Sequence, residues 1–191
     1  MERLNSTELD STELDSTELN STELNSTELN STELNSSDFR NVLSRFASGV
    51  TVVASLDERG APAGLACQSF ASLSLDPPLV LLCVGTSSTS WPSIRRAGRF
   101  GVSILAEEQR DVCAALGRRG PDKFAGVEWE ASAQGAVRIA GALATVDCEL
   151  QTVHEAGDHY VVTARVLGLT AREDGTPLLY FRSDYATGVF A

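Results

Sequence analysis

The chain has 191 residues, 42% hydrophobic and 21% charged, with a formal net charge of −11, a balance suited to one globular domain plus an appendage. Nine of its 26 acidic residues but only one of its 15 basic ones fall in positions 1–37, so the near-neutral remainder offers no counterion-releasing surface and no nucleic-acid partner is expected. No apolar run approaches the ~20 residues of a membrane span and the polar N-terminus lacks a hydrophobic signal segment; with Cys67, Cys83, Cys113 and Cys148 scattered as buried-type thiols, a reducing, cytoplasmic setting is expected.

Residues 5–34 repeat the pentapeptide Asn/Asp-Ser-Thr-Glu-Leu six times. Asn35-Ser36-Ser37-Asp38-Phe39 reads as a degenerate seventh copy carrying a helix-capping pattern. On a helix each Leu turns ~140° from the last, at ~100° per residue. On a strand successive leucines take opposite faces. Neither geometry builds an apolar stripe, so residues 1–37 are expected to form a disordered or frayed-helical tail ahead of one domain over 38–191. A docking tail is the other reading.

The body is predicted in chain order. Phe39, Val42, Leu43 and Phe46 have helical spacing over residues 38–47. Strands follow at 50–56 and 63–72, hairpin-paired through Asp57-Glu58-Arg59-Gly60. Asp76-Pro77-Pro78 forces a break, and 79–84 reads as a fully buried strand. Trp91-Pro92 opens a helix through Arg96. A strand at 100–105 and a helix at 107–116 come next, then a basic loop. Two long strands, 142–154 and 159–170, flank the turn Glu155-Ala156-Gly157-Asp158, and a last strand spans 177–182. The fold class is mainly β with a few helices, a barrel rather than a doubly wound parallel sheet. There is no Gly-x-Gly-x-x-Gly turn and no phosphate-cradling Gly-x-x-x-x-Gly-Lys loop.

Four segments offer chemistry. In Ala66-Cys67-Gln68-Ser69-Phe70-Ala71-Ser72-Leu73-Ser74, small and hydroxyl residues alternate with apolar ones, so a flat ring can approach the backbone. An ordinary half-buried strand has the same pattern. Thr86-Ser87-Ser88-Thr89-Ser90 lies before a helix start, either as phosphate donors or as a capped loop. Lys123-Phe124 follows the basic Arg118-Arg119 loop and can neutralise a phosphate and flank a ring, or be simply solvated. His159 at a strand start can meet a nicotinamide carboxamide or pack as a structural residue. With two histidines and no carboxylate spaced beside them as a ligand, no metal site is expected.

In order and spacing these segments, with Phe46-Ala47-Ser48-Gly49-Val50-Thr51, Ser74-Leu75-Asp76-Pro77-Pro78, Gly157-Asp158-His159 and Pro177-Leu178-Leu179-Tyr180-Phe181-Arg182, resemble the flavin reductase family with the FMN-binding split-barrel fold. The resemblance implies an NAD(P)H:flavin oxidoreductase, commonly a homodimer, that supplies reduced FMN or FAD to a partner oxygenase of aromatic or steroid-type substrates. NADH or NADPH is the implied hydride donor. A non-catalytic flavin-binding carrier or sensor is the alternative. By the same resemblance Ala66, Cys67, Gln68, Ser69, Phe70, Ser72 and Leu73 line the isoalloxazine and ribityl chain. Ser87, Ser88, Thr89 and Ser90 hold phosphate, and Lys123 and Phe124 complete the pocket. His159, Arg182 and Tyr185 contact the nicotinamide cofactor. The hydroxyl loop lacks the basic residue that many family members carry there, which leaves phosphate charge to Lys123, Arg95 or a partner subunit.

Overall fold

The computed structural model describes residues 35–120 and 122–187. The six pentapeptide copies, and with them all of the expected tail except residues 35–37, lie outside the described residues. The first helix, α1 (Ser36–Leu43), opens at the capping pattern: Asn35 Oδ1 accepts the N–H groups of Ser37 and Asp38, each at 2.9 Å. It ends before residue 47, because the N–H groups of Arg45 and Phe46 bond only three residues back, to Val42 and Leu43. Its apolar residues, and Phe46 just past its end, are open to solvent, with Val42 66% and Phe46 82% exposed.

Then come β1 (Ser48–Gly49), β2 (Thr51–Leu56), β3 (Pro62–Cys67), β4 (Phe70–Leu75), β5 (Pro78–Gly85), α2 (Trp91–Ala97) and β6 (Arg99–Ile104). A single 3-10 turn (Glu107–Gln109) leads into α3 (Arg110–Gly117). The chain finishes with β7 (Trp129–Ala131), β8 (Val137–Ile139), β9 (Ala144–Ala156), β10 (His159–Ala171), β11 (Leu178–Phe181) and β12 (Asp184–Thr187). The predicted helices and long strands are there. The β7–β8 hairpin and β12 were too short to give a periodic signal.

The single strand expected over 63–72 is two strands. β3 pairs with β2, whereas β4 pairs with β5. The chain changes partner at a corner where the Phe70 N–H bonds the Gln68 carbonyl at 3.0 Å. The antiparallel sheet runs β3-β2-β6-β9-β10-β5-β4, so two strands consecutive in sequence stand at its opposite edges. A two-residue corner can join them only if the sheet rolls up until its edges meet. The result is a barrel with a seam at residues 67–70. Past the corner the Cys83 N–H bonds the Ser69 carbonyl at 3.0 Å, extending the β4–β5 ladder by one residue, and from the end of β3 the Cys67 thiol reaches the Cys83 carbonyl at 3.5 Å.

Alternation along the strands fills the barrel with Val53, Leu65, Leu82, Phe100, Val102, Val146 and Val162, and Trp91 and Ile94 of α2 pack into the same core. A second core lies behind β2, where Val52 and Ala54 pack with Leu105, Leu116, Val137, Ile139 and Leu178. β2 is therefore buried on both faces. β5, expected to be fully buried, alternates instead: Val80, Leu82 and Val84 are buried while Leu79, Leu81 and Cys83 are half-exposed. A continuous apolar run does not itself report a second covering layer. No helix among the described residues is long and apolar enough to cross a membrane.

The β7–β8 hairpin is fastened at two points. Gly101 lets β8 lie against β6, since a Cβ there would come 2.2 Å from the Val137 carbonyl oxygen. Asp147, fully buried on β9, takes both arms of Arg138 at 2.9 and 2.7 Å. That hydrogen bonding holds the guanidinium above its ordinary pKa. Arg138→Met strands a buried carboxylate and is expected to lower unfolding stability by about 3–5 kcal/mol in urea titrations. A loss under about 1 kcal/mol would show that the pair has the low value of a surface ion pair.

Candidate functional site

The seam opens into a cleft of about 350 Å³. One wall is the end of β3 and the corner: Leu65, Ala66, Cys67, Gln68 and Ser69. The facing wall is the end of β5, Cys83-Val84-Gly85, continued by Ser87, Ser88 and Thr89. α3 and the loop after it close the far side with Cys113, Leu116, Arg118, Arg119 and Lys123, and His159 stands at the rim. Three of the four expected segments thus meet with His159 in one cavity.

The backbone positions these groups. β10 pairs with β5 so that His159 lies opposite Gly85. Gly85 has no side chain, and a Cβ there would sit 3.8 Å from His159 Nε2. The hydroxyl loop is tied to the β9–β10 turn, because the Thr86 N–H and Oγ1 both donate to the Asp158 carbonyl at 2.9 and 3.0 Å. Asp158 Oδ1 lies 2.7 Å from His159 Nδ1. An ionised carboxylate only accepts, so the proton sits on Nδ1 and Nε2 is left for another partner. The same hydrogen bond, reinforced by the imidazole's charge, holds the Asp158 carboxyl below its ordinary pKa.

Charge in the cleft is one-sided. Its walls carry Arg118, Arg119 and Lys123 and no carboxylate side chain. The ammonium of Lys123 donates to Ser90 Oγ at 3.1 Å and the Gly64 carbonyl at 3.4 Å, and burial lowers its pKa. Ser90 gives no side-chain cap to α2; Ser88 Oγ accepts the Trp91 N–H at 3.3 Å instead. Ser87 and Thr89 remain for a ligand. Arg95 is exposed and does not line the cleft, so the positive charge at the hydroxyl loop comes from the loop after α3.

Other expected residues stand elsewhere. Phe70 packs against the barrel core. Ser72 and Leu73 lie at a bulge on the outer edge of the sheet, where Leu73 is 49% exposed. Phe124 lies beside the cleft, its ring edge-on to Trp129 with centroids 6.4 Å apart. Tyr185 stands behind it, donating its hydroxyl to Cys113 Sγ at 3.2 Å, a bond that pushes its own pKa up to about 12. Arg182, at a positive-φ turn between β11 and β12, lies over Phe181. Arg118 and Arg119 were visible as a basic loop, but nothing in the pattern aimed them inward. Cys83 and Gly85 were hidden in an apolar run.

Burial pushes the Cys67 thiol up to about 11, although it donates weakly to the Cys83 carbonyl at 3.5 Å. Cys67 is therefore a neutral thiol, not a thiolate nucleophile. Among the described residues no cluster of three or more His, Cys, Asp or Glu could hold a metal ion.

These features define a class: a β-barrel protein with a cation-lined, carboxylate-free cleft at its seam. The chain belongs to the flavin reductase-like domain family, whose model matches residues 43–188. It is 50% identical over 151 residues to the reductase subunit of a flavin-dependent monooxygenase from Rhodococcus jostii, covering 79% of this chain and 76% of that one. Among solved structures, it resembles nitrilotriacetate monooxygenase component B of Mycobacterium thermoresistibile, with 48% identity, a TM-score of 0.76 and coverage of 79% and 85%. It also resembles the NADH:FAD oxidoreductase of Streptomyces globisporus, solved with NAD and FAD fragments, with 31% identity, a TM-score of 0.75 and coverage of 81% and 92%.

Thiol reactivity checks the burial order. With an aromatic disulfide reagent near pH 8, Cys83 is expected to react first. Cys67 and Cys148, whose thiols burial pushes up to about 11 and 12, are expected to wait for unfolding. Rapid labelling of Cys67 in the folded protein would contradict the described seam.

Proposed function

We propose that this protein is an NAD(P)H-dependent flavin reductase that binds FMN or FAD in the seam cleft and supplies the reduced flavin to a partner monooxygenase of an aromatic or steroid-type substrate. The observation that carries the reading is the cleft itself, with hydroxyls, an amide and three cations, no carboxylate, and a histidine held by its far nitrogen. That donor set fits a hydrogen-bonding ring with a phosphate tail. The relatives described above are named as reductase components or oxidoreductases, which favours the enzyme over a carrier or sensor.

When bound, the flavin accepts a hydride from the reduced nicotinamide ring. The transfer needs the two rings stacked with reacting atoms ~3–3.5 Å apart, and no protein nucleophile. Ala66 to Ser69 and Cys83 to Gly85 shape the slot. Small side chains on both walls let rings approach the backbone. Ser87, Thr89, Arg118 and Arg119 hold the phosphate, and Lys123 adds charge from the side. His159, with Nδ1 committed to Asp158, offers Nε2 to the nicotinamide carboxamide. Burial keeps the Cys67 thiol protonated beside the ring. Phe124 and Tyr185 support this wall from behind, and Arg182 stays over Phe181 at the β11–β12 turn.

We assign the exposed apolar face of α1 to a second copy of the chain. Phe39, Val42, Leu43 and Phe46 are each more than half exposed, and clustered exposed apolar side chains mark interaction surfaces. A homodimer covers it. The cytoplasm suits four free cysteines.

Oxidation of NADH and NADPH with added FMN, FAD and riboflavin tests the activity. His159→Ala is expected to raise the KM for the nicotinamide cofactor about 3–10-fold, a hydrogen bond's worth, with flavin affinity unchanged. Unaltered kinetics with intact flavin binding would remove the role. Arg118→Ala combined with Arg119→Ala is expected to weaken FMN about tenfold at low ionic strength while leaving riboflavin unaffected. Sedimentation of Phe39→Ser with Phe46→Ser is expected to show a monomer where the unsubstituted chain is a dimer; a monomeric unsubstituted chain would overturn the dimer.

A further inference from the structure

A second cavity, about 450 Å³, lies on the other side of Lys123 and is larger than the seam cleft. The two share Thr89 and Lys123 in their walls. Each alone sits at the lower end of the roughly 300–1,000 Å³ range of small-molecule sites. They border each other at Thr89 and Lys123, which places a cation at their junction.

That cation is held but not neutralised. Two of its three N–H donors go to Ser90 Oγ and the Gly64 carbonyl. Among the described residues no carboxylate lies within ion-pairing distance of it. A half-buried ammonium with a free donor and no counter-charge is an incomplete site for an anion. Its place at the junction suits a linkage that passes from one cavity to the other.

The far cavity has different chemistry from the cleft. Phe124 offers a flat aromatic wall, fixed edge-on against Trp129 and seated tightly over Gly64, where a Cβ would come 2.8 Å from the Phe124 ring. Ser93 offers a hydroxyl. At the end stands Asp57, whose Oδ1 accepts the N–H groups of Arg59 and Ala61 at 2.8 and 2.9 Å, leaving Oδ2 to accept from a ligand. An aromatic wall, a hydroxyl and a lone carboxylate suit a heteroaromatic amine or a sugar diol. They repel a further phosphate.

We propose that this second cavity receives the adenosine half of FAD, with the pyrophosphate crossing at Lys123 and Thr89, so that the protein prefers FAD over FMN. The inference rests on the seam cleft being the isoalloxazine site. FMN would fill the cleft and leave the second cavity empty. The carboxylate of Asp57 makes a phosphorylated ribose a poor occupant.

Quenching of flavin fluorescence by the full chain tests this. The unsubstituted protein is expected to bind FAD about tenfold more tightly than FMN. Ser93→Trp, which fills the second cavity from α2, is expected to erase that difference by weakening FAD alone. Ala61→Trp fills it from the opposite side and serves if the first variant does not fold. AMP is expected to compete with FAD and to leave FMN bound. Equal affinity for FAD and FMN in the unsubstituted protein would overturn the proposal, as would a variant that weakens both flavins alike or neither. Failure of FMN and riboflavin to bind at all would instead strike the seam cleft, and the second cavity with it.

Discussion

A two-residue corner, Gln68-Ser69, joins strands that stand at opposite edges of one seven-stranded sheet, and everything at the site depends on it. The sheet has to roll until β3 and β4 are neighbours. The edges meet at only a few polar contacts, because β3 keeps its ladder to β2 and β4 keeps its ladder to β5. The Ser69–Cys83 backbone bond continues the β4–β5 ladder, and the Cys67 thiol at the end of β3 reaches the Cys83 carbonyl. An open seam exposes backbone and small side chains on two facing walls. A flat ring can enter there without displacing core residues, since Val53, Leu82 and Val146 fill the barrel behind.

Charge then sorts what enters. The described domain is nearly balanced in charge, yet the cleft collects three cations and no acid. The nearest carboxylate, Asp158, is turned toward His159 Nδ1 and works through that ring. Burial raises the Cys67 and Cys113 thiols, the latter offset in part by the Tyr185 hydroxyl, so these two sulfurs stay neutral. A protein built this way positions ligands and lets them react with each other. The Arg138–Asp147 pair performs a separate task, holding the β7–β8 hairpin over β6 and β9, and so completing the second core that backs β2.

Strand content and the long hairpin were legible in the sequence. Val146, Cys148, Val162 and Ala164 alternate along two runs that meet at a Gly157-Asp158 turn, and that pattern leaves few other readings. The helix start at Asn35 was legible too, through its capping residues. The corner at Gln68-Ser69 was not. Neither Gly nor Pro marks it, and the change of strand partner is a property of the whole sheet. A single strand over 63–72 hides the change of partner, and Ser72 and Leu73, assigned to the site by resemblance, lie past the corner at an exposed bulge of β4. Arg118 and Arg119 were underweighted for the converse reason. A basic loop looks solvated in sequence, and only the packing of α3 against β3 turns it toward the cleft.

The central claim is that the seam cleft holds the flavin ring, and a crystal structure of the full chain soaked with FMN tests it most directly. The account predicts the isoalloxazine between Ala66–Ser69 and Cys83–Gly85, with phosphate oxygens in hydrogen-bonding reach of Ser87, Thr89 and the Arg118-Arg119 loop. Flavin density anywhere else on the protein, with the seam left to solvent, would contradict it.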